Sequence, residues 1–257
     1  MSRVFITGSA EGLGSMAANL LIGEGHDVTL HARSEARAEN ALAAAPGATT
    51  ALVADLSSIA QTRRLAEQLN QLERFDAVIH NAGIGYREPR RVVTEDGLEH
   101  VFAVNTLAPY LLTALISRPA RLVYVSSGLH RQGEVDLADL QWERRPWNGM
   151  QAYADSKLYD AVLAAGVAVR WQDVRANAME PGWVATKMGG AGAPDDLQQA
   201  PVTQVWLAVS DDDEARTTGG YFYHRKPRAP LPAMHDPAVQ EGLLDACAAL
   251  TGVTLPA

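Results

Sequence analysis

Short runs of apolar and β-branched residues alternate along the chain with longer stretches whose apolar positions recur every three or four residues. The short runs are Val4 to Thr7, Asp27 to His31, Thr49 to Val53, Ala77 to His80, Arg121 to Ser126 and Val174 to Met179, with a last one at Gly220 to Tyr223. Near-continuous apolarity over so few residues suits strands buried on both faces. The longer stretches are Met16 to Gly23, Ser58 to Leu72, Gly97 to Leu115, Ala152 to Val169 and Gln199 to Val209, and they have the period of helices with one buried face. Asp236 before Pro237 supplies a cap and a first-turn proline for a closing helix. Strands alternating with helices predict an α/β fold, a doubly wound parallel sheet of Rossmann type flanked by helices on both faces. No internal repeat and no Pro- or Gly-rich linker divides the chain, so residues 1–257 are expected to form a single domain.

Two stretches interrupt the alternation. His130 to Gly149 sets Trp142 and Trp147 among polar residues, and Gly189 to Pro194 is a run of small residues before Asp195 and Asp196. Long connections in compact domains tend to carry function. A substrate-side insertion around 130–149 and a flexible substrate loop around 185–200 are therefore expected. A chain 47% hydrophobic and 20% charged is ordinary for a soluble globular protein and needs no bilayer. Its net charge of -8 works against a polyphosphate partner. No nucleic-acid or membrane partner is expected, and Arg87, Arg90, Arg91, Arg144 and Arg145 read as solvated loop clusters. Cys247 is the single cysteine and lies in an apolar stretch, which excludes a disulfide framework and points to the core. His80, His100 and His130 lack metal-ligand spacing, so no metal is expected. The opening Met1-Ser2-Arg3-Val4-Phe5-Ile6 has neither a signal nor a transit pattern, and with the lone cysteine it implies a reducing, cytoplasmic setting.

The first strand runs straight into Thr7-Gly8-Ser9-Ala10-Glu11-Gly12-Leu13-Gly14 and then into a helix. Glycines let backbone approach a pyrophosphate, and the helix start offers free N–H groups and the positive end of its dipole. Further on, Tyr153 and Lys157 stand four residues apart and share a helix face, so an ammonium can stabilise a phenolate and lower a phenol pKa of about 10. Ser126 and Ser127 end a strand at the sheet edge where such folds bind ligands; alternation lets one of the two hydroxyls face the cleft. No G-x-S-x-G elbow and no G-x-x-x-x-G-K-[ST] loop is present.

With these residues the chain resembles the short-chain dehydrogenase/reductase family, over nearly its whole length and in family order. The matches are the Gly8, Gly12, Gly14 turn, Asp55-Leu56, Asn81-Ala82-Gly83, Asn105, Ser127, Tyr153 with Lys157, and Pro181-Gly182 followed by Val184 and Thr186. The resemblance implies a nicotinamide cofactor that exchanges hydride with a carbonyl or alcohol. By resemblance Tyr153 is the general acid, Ser127 orients the substrate oxygen, Asn105 holds a proton-relay water and Lys157 binds the nicotinamide ribose. The cofactor-binding set it implies is Gly8, Ser9, Glu11, Gly12, Leu13, Gly14, Asp55, Leu56, Asn81, Ala82, Gly83, Tyr153, Lys157, Pro181, Gly182, Val184 and Thr186, with Arg33 and Ser34 at the second strand's end. Ser127 and Tyr153 are 26 residues apart, wider than the family's usual spacing. In that width and in Leu140-Gln141 the chain looks like the retinol-dehydrogenase-like branch, and more loosely like bacterial ketoreductases, which implies a bulky, apolar carbonyl or alcohol. Family members form homodimers and homotetramers, and either is open here, although the stretch from Lys157 to Pro181 is shorter than usual.

The second strand ends at Ala32, where an acid would hydrogen-bond ribose hydroxyls, and Arg33 follows, a guanidinium able to grip a 2′-phosphate beside Ser34. NADP(H) is therefore the expected cofactor, with NAD(H) the alternative, although the charge of Glu11 in the glycine turn opposes a phosphate. Two other readings compete with a reductase. A regulator that senses NADP(H) without turnover has no need of Asn105, Ser127, Tyr153 and Lys157 together, and an epimerase or dehydratase would need a larger C-terminal substrate region.

Overall fold

The computed structural model describes the whole chain, Met1 to Ala257. One sheet carries the strands β1 (Arg3–Ile6), β2 (Asp27–Ala32), β3 (Thr50–Val53), β4 (Ala77–His80), β5 (Arg121–Val125), β6 (Arg175–Met179), β7 (Tyr221–Tyr223) and β8 (Lys226–Pro227). Their spatial order is β3-β2-β1-β4-β5-β6-β7-β8. The first seven pair in parallel, and β8 turns back antiparallel on β7. Chain order reverses between β1 and β4, which opens a crevice at the carboxyl ends of the strands.

Alternation along each strand divides the core into two layers. Phe5, Val78, Leu122 and Ala176 pack on one side with α3 (Ile59–Gln71), α5 (Ala108–Leu115), α6 (Gly149–Arg170) and α8 (Pro237–Thr251). Val4, Ile6, Val28, Ile79 and Val123 pack on the other with α1 (Gly12–Gly23), α2 (Glu35–Ala44) and α7 (Val202–Val209). Cys247 is buried in the first layer.

Three helical segments depart from the expected pattern. The periodicity did not indicate α2, because its buried positions are only Ala38 and Ala41, too small to make an apolar stripe. The expected helix over Gly97 to Leu115 begins as α4 (His100–Phe102), passes through a π turn at Ala103–Leu107 and continues as α5. Pro109 has no N–H for the Asn105 carbonyl four residues back, and the ladder shifts by one residue, with Ala108 N–H donating to the Ala103 carbonyl. The stretch expected to be helical from Gln199 splits into a 3₁₀ turn, Leu197–Gln199, and α7, with Pro201 between. Asp236 caps α8 by accepting from the N–H groups of Ala238 and Val239, with Pro237 first in the helix.

α6 is buried continuously from Ala152 to Ala168. One flank lies against the sheet, and α8 covers another at Gly166, where a Cβ would stand 3.3 Å from Leu244 Cδ1. The 130–149 segment is tied down by its own residues. Arg145 stacks 3.7 Å over the Trp142 ring and reaches Asp155 on α6 at 3.0 Å. Trp147 meets Trp142 edge-on and donates its indole N–H to the Glu88 carbonyl. No helix is long and apolar enough to cross a membrane.

Candidate active site

The glycine turn is built by its neighbours. Thr7 Oγ1 accepts from the N–H groups of Asn81 and Ala82, and Asn81 Nδ2 donates to the carbonyls of Thr7 and Gly8, so β4 locks the turn after β1. Gly8 and Gly12 have φ of +63° and +61°, values that favour glycine. At Gly14 a Cβ would lie 2.5 Å from both Asn81 Nδ2 and the Gly8 carbonyl. Ser9 Oγ donates to the Ile6 carbonyl and accepts from His31 N–H, which makes Ser9 a brace of the turn. His31 then accepts from Gly8 N–H through Nδ1, and its Nε2 meets the Ala54 carbonyl. Burial lowers the His31 pKa to about 4, so the ring is neutral and holds a single tautomer between β1 and β3. Leu13 lies half-buried at the start of α1, behind the exposed Glu11 and Gly12.

Asn105, Ser127, Tyr153 and Lys157 come from the π turn, the end of β5 and one face of α6. The π turn holds Asn105 so that its Oδ1 accepts from Ile84 N–H at 2.8 Å and its Nδ2 donates to the Ile84 carbonyl and to Ser156 Oγ. A Cβ on Gly83 would stand 3.3 Å from Lys157 Nζ and 3.5 Å from Asn105 Oδ1, so bare backbone separates β4 from both groups. Ser126 is buried and donates to the Lys157 carbonyl, whereas Ser127 is half-buried beside Tyr153. Lys157 Nζ lies 5.8 Å from the Tyr153 ring centroid and donates at 2.8 Å to the Val125 carbonyl. Burial raises the Tyr153 phenol above its ordinary value, and Lys157 and the Ser127 hydroxyl pull back only part of that rise. The phenol therefore keeps its proton through the neutral range, as a proton donor must.

On the adenosine side, Ala32 is buried at the end of β2, and Arg33 and Ser34 are exposed just beyond it. Ser34 begins α2 without bonding its side chain to the helix, which leaves that hydroxyl and the helix start free. Burial pushes the Asp55 carboxyl up, but the N–H and hydroxyl of Ser57, with the charges of Arg33 and His100, outweigh it and hold the group below its ordinary value. Leu56 is buried beside it. Glu11 pairs with Arg37 at 2.9 Å and with Lys187, so its charge is met from both sides.

Pro181, Gly182, Val184 and Thr186 follow β6 along the same edge. Gly182 has φ +88° and lies against Asp195, whose carboxylate accepts from Trp183 N–H. Val184 is buried and bridges to Asp195, so the segment folds back on itself. Met188 sits against Gly85, and its carbonyl accepts from Tyr86 Oη; Tyr86 meets Tyr153 edge-on at 5.5 Å. Trp183 is 58% exposed at the mouth. His130, by contrast, is wholly buried: it donates Nδ1–H to the Ser127 carbonyl and accepts from Leu231 N–H, and burial lowers its pKa to about 4. No group of three or more His, Cys, Asp or Glu side chains is placed to hold a metal ion.

Sequence reasoning passed over Thr7, His31, Arg37, Tyr86, Asp160 and Lys187. Thr7 was legible as the residue opening the glycine turn. His31, Arg37, Tyr86 and Lys187 act through partners far along the chain, and Asp160, one turn from Lys157, looks like a solvated acid on a helix, so periodicity or local motif gives no sign of them.

A glycine turn at the switch point of a doubly wound sheet, with a phenol and an ammonium across the crevice, defines a dinucleotide-dependent oxidoreductase. Residues 2–196 match the family model for short chain dehydrogenases. The chain is 43% identical over 261 residues, the full length of both, to the short-chain dehydrogenase chyC of Penicillium rubens. It is 31% identical to human retinol dehydrogenase 13, over 98% of this chain and 85% of that one. A crystal structure of a blue fluorescent protein from a metagenomic library, in complex with NADPH, superposes with a TM-score of 0.69 at 25% identity, over 86% of this chain and 95% of that one. The chain belongs to the short-chain dehydrogenase family, and it is an oxidoreductase of its retinol-dehydrogenase-like branch.

Proposed function

We propose that the protein is an NADPH-dependent reductase of apolar ketones or aldehydes, in which Tyr153 protonates the carbonyl oxygen, Ser127 orients it, and Lys157 and Asn105 support the proton transfer. One observation carries this reading: Tyr153 is buried and protonated beside Ser127, with Lys157 and Asn105 behind it, at the edge of a crevice whose other end is the glycine turn. The cradle fits a dinucleotide, because Gly8 and Gly12 take the left-handed conformation of a tight turn, Gly14 lets that turn close on α1 where a Cβ would strike the Gly8 carbonyl, and Glu11 leaves the N–H groups of the helix start uncapped. Bound there, a reduced nicotinamide supplies the hydride. Tyr153 and Ser127 meet the negative charge that develops on oxygen, and the buried setting strengthens both hydrogen bonds. Ser126 has no such role, since its hydroxyl is spent on the Lys157 carbonyl.

Arg33, Ser34 and the start of α2 favour a 2′-phosphate, and the ion pairs of Glu11 with Arg37 and Lys187 offset the acid that would oppose it. The NADPH carried by the structural relative supports the same choice. Trp183, Met188 and Tyr86 frame the mouth with apolar and aromatic surface, which suits an apolar substrate. The test is a panel of aldehydes, ketones and secondary alcohols followed by nicotinamide absorbance with each cofactor. Turnover of apolar carbonyls with NADPH is expected, and binding of NADPH without turnover of any of them would favour a cofactor sensor instead.

A further inference from the structure

Lys157 has an acidic partner that the reaction as described does not use. Asp160, one helical turn further along α6, accepts from Lys157 Nζ at 2.8 Å, and both side chains are almost wholly buried. An ammonium has three N–H groups. One goes to the Val125 carbonyl and one to Asp160, which leaves one for the cleft side, toward Gly83. Asp160 is the only carboxylate paired with Lys157. Taking an ion pair out of water is costly, and an apolar pair of similar volume is often as stable or more so. With Lys157 needed at the cleft, an acid beside it offsets the cost of a lone buried charge, and this acid also stands next to the group that acts on the catalytic phenol.

We propose that Asp160 is a positioning residue: it fixes Lys157 Nζ and cancels much of the positive charge that would act on Tyr153, setting the site to give a proton to a carbonyl rather than take one from an alcohol. The proposal rests on the reading of Tyr153 as the acid. Hydride from a reduced nicotinamide and the Tyr153 proton together convert C=O to CH–OH, and the phenolate left behind is reprotonated from water. The titratable groups that face Asp160 are Lys157 and Tyr153 from α6 and Tyr124 from β5, whose hydroxyl is held at 2.8 Å by Thr113, with His80 stacked behind it. The directions agree with this geometry. Burial first and then Asp160 push the Tyr153 phenol up, while Lys157 pulls it down. Burial alone would lower the Lys157 ammonium, and Asp160 together with Tyr153 more than restores it.

The test is an ultraviolet titration of tyrosinate in the cofactor-free protein, with the Tyr153 signal identified as the difference from Tyr153→Phe in the same background. Asp160→Asn keeps the size and an acceptor but removes the charge. Its Tyr153 transition is expected about one pH unit below wild type, because the ammonium then acts uncompensated. The fraction of phenolate at neutral pH, and with it alcohol oxidation, should rise about tenfold. A transition that does not move, or moves up, overturns the proposal. Should Asp160→Asn fail to fold, Lys157→Met with Asp160→Leu replaces the ion pair by an apolar pair and should leave the transition within about half a pH unit of wild type, since two cancelling charges are removed. A rise of a full unit or more would show that the ammonium had been acting uncompensated, and would also overturn it. The titration needs no turnover, so failure of the reductase reading would appear in the assay of Tyr153→Phe and failure of the Asp160 role only here.

Discussion

At the scale of single residues, charge decides which protonation state each group brings to the site. Lys157 is fixed by Asp160 and lies beside Gly83, where the proposed reading has it serve both the cofactor and Tyr153. Lys157→Ala is expected to weaken NADPH binding and to lower kcat together; an unchanged dissociation constant for the cofactor would refute its ribose role. Arg33 is exposed at the end of β2, where the proposed reading has it meet a 2′-phosphate. Losing a charge-assisted hydrogen bond costs about 1.5–3 kcal/mol, so Arg33→Ala should weaken NADPH by roughly 10- to 150-fold and leave NADH nearly unchanged. Fluorescence titration of both cofactors checks this, and equal losses for the two would place Arg33 outside the phosphate site.

At the scale of elements, the 130–149 insertion is a wall built against the 86–99 loop and α6. Arg145 holds it, lying between the Trp142 ring and the Asp155 carboxylate, with Trp142 at φ 55°. Arg145→Ala would leave Asp155 buried with less compensation and strip the cation from the ring, at a cost of about 2–4 kcal/mol. Urea denaturation measures that loss, and a change under about 0.5 kcal/mol, the usual range for surface substitutions, would contradict the structural role. β1, β2, β4, β5 and β6 were legible in the sequence because they are apolar and buried nearly along their length, whereas β8 is two exposed residues, Lys226 and Pro227, with no apolar pattern to mark it. α8 was legible through Asp236 and Pro237, which act within a single turn. α2 was not, since alanines at 38 and 41 bury little and leave no stripe. The π turn at Asn105 depends on Pro109 having no N–H, a consequence of register that spacing alone does not reveal. The candidate site was legible wherever one motif carries it, as with Gly8 to Gly14 or Tyr153 and Lys157. It was hidden wherever a partner is distant, as with His31 and Gly8, or where an acid on a helix looks like a solvated one, as with Asp160.

At the scale of the whole molecule, burial couples the fold to pH. His31, His80 and His130 are buried and neutral, with pKa values lowered by desolvation to about 4, 3 and 4. Each takes up a proton more readily when unfolded, so stability present above about pH 6.5 is lost as pH falls toward 4. Asp160, raised by burial to about 6, acts in the opposite sense, as do the buried carboxyls of Glu99 and Asp155, but the three histidines carry the larger shifts. The melting temperature is expected to fall between pH 7 and pH 5, and a flat or rising profile would contradict this balance. α8 covers the flank of α6 at Gly166 within one chain, so two copies are not expected to pair through that flank; light scattering of Val169→Asp, an exposed α6 position, should match wild type. The whole arrangement converges on one claim, that a buried phenol on α6 delivers the proton in a nicotinamide-dependent carbonyl reduction. The most direct measurement compares wild type with Tyr153→Phe, following NADPH oxidation with the best carbonyl of the panel alongside NADPH affinity by fluorescence. General acid catalysis contributes about 10²–10⁴-fold, so the variant should lose at least about a hundredfold in kcat while binding NADPH as wild type does. A variant that keeps more than about a tenth of the wild-type rate would contradict the assignment of Tyr153 as the acid.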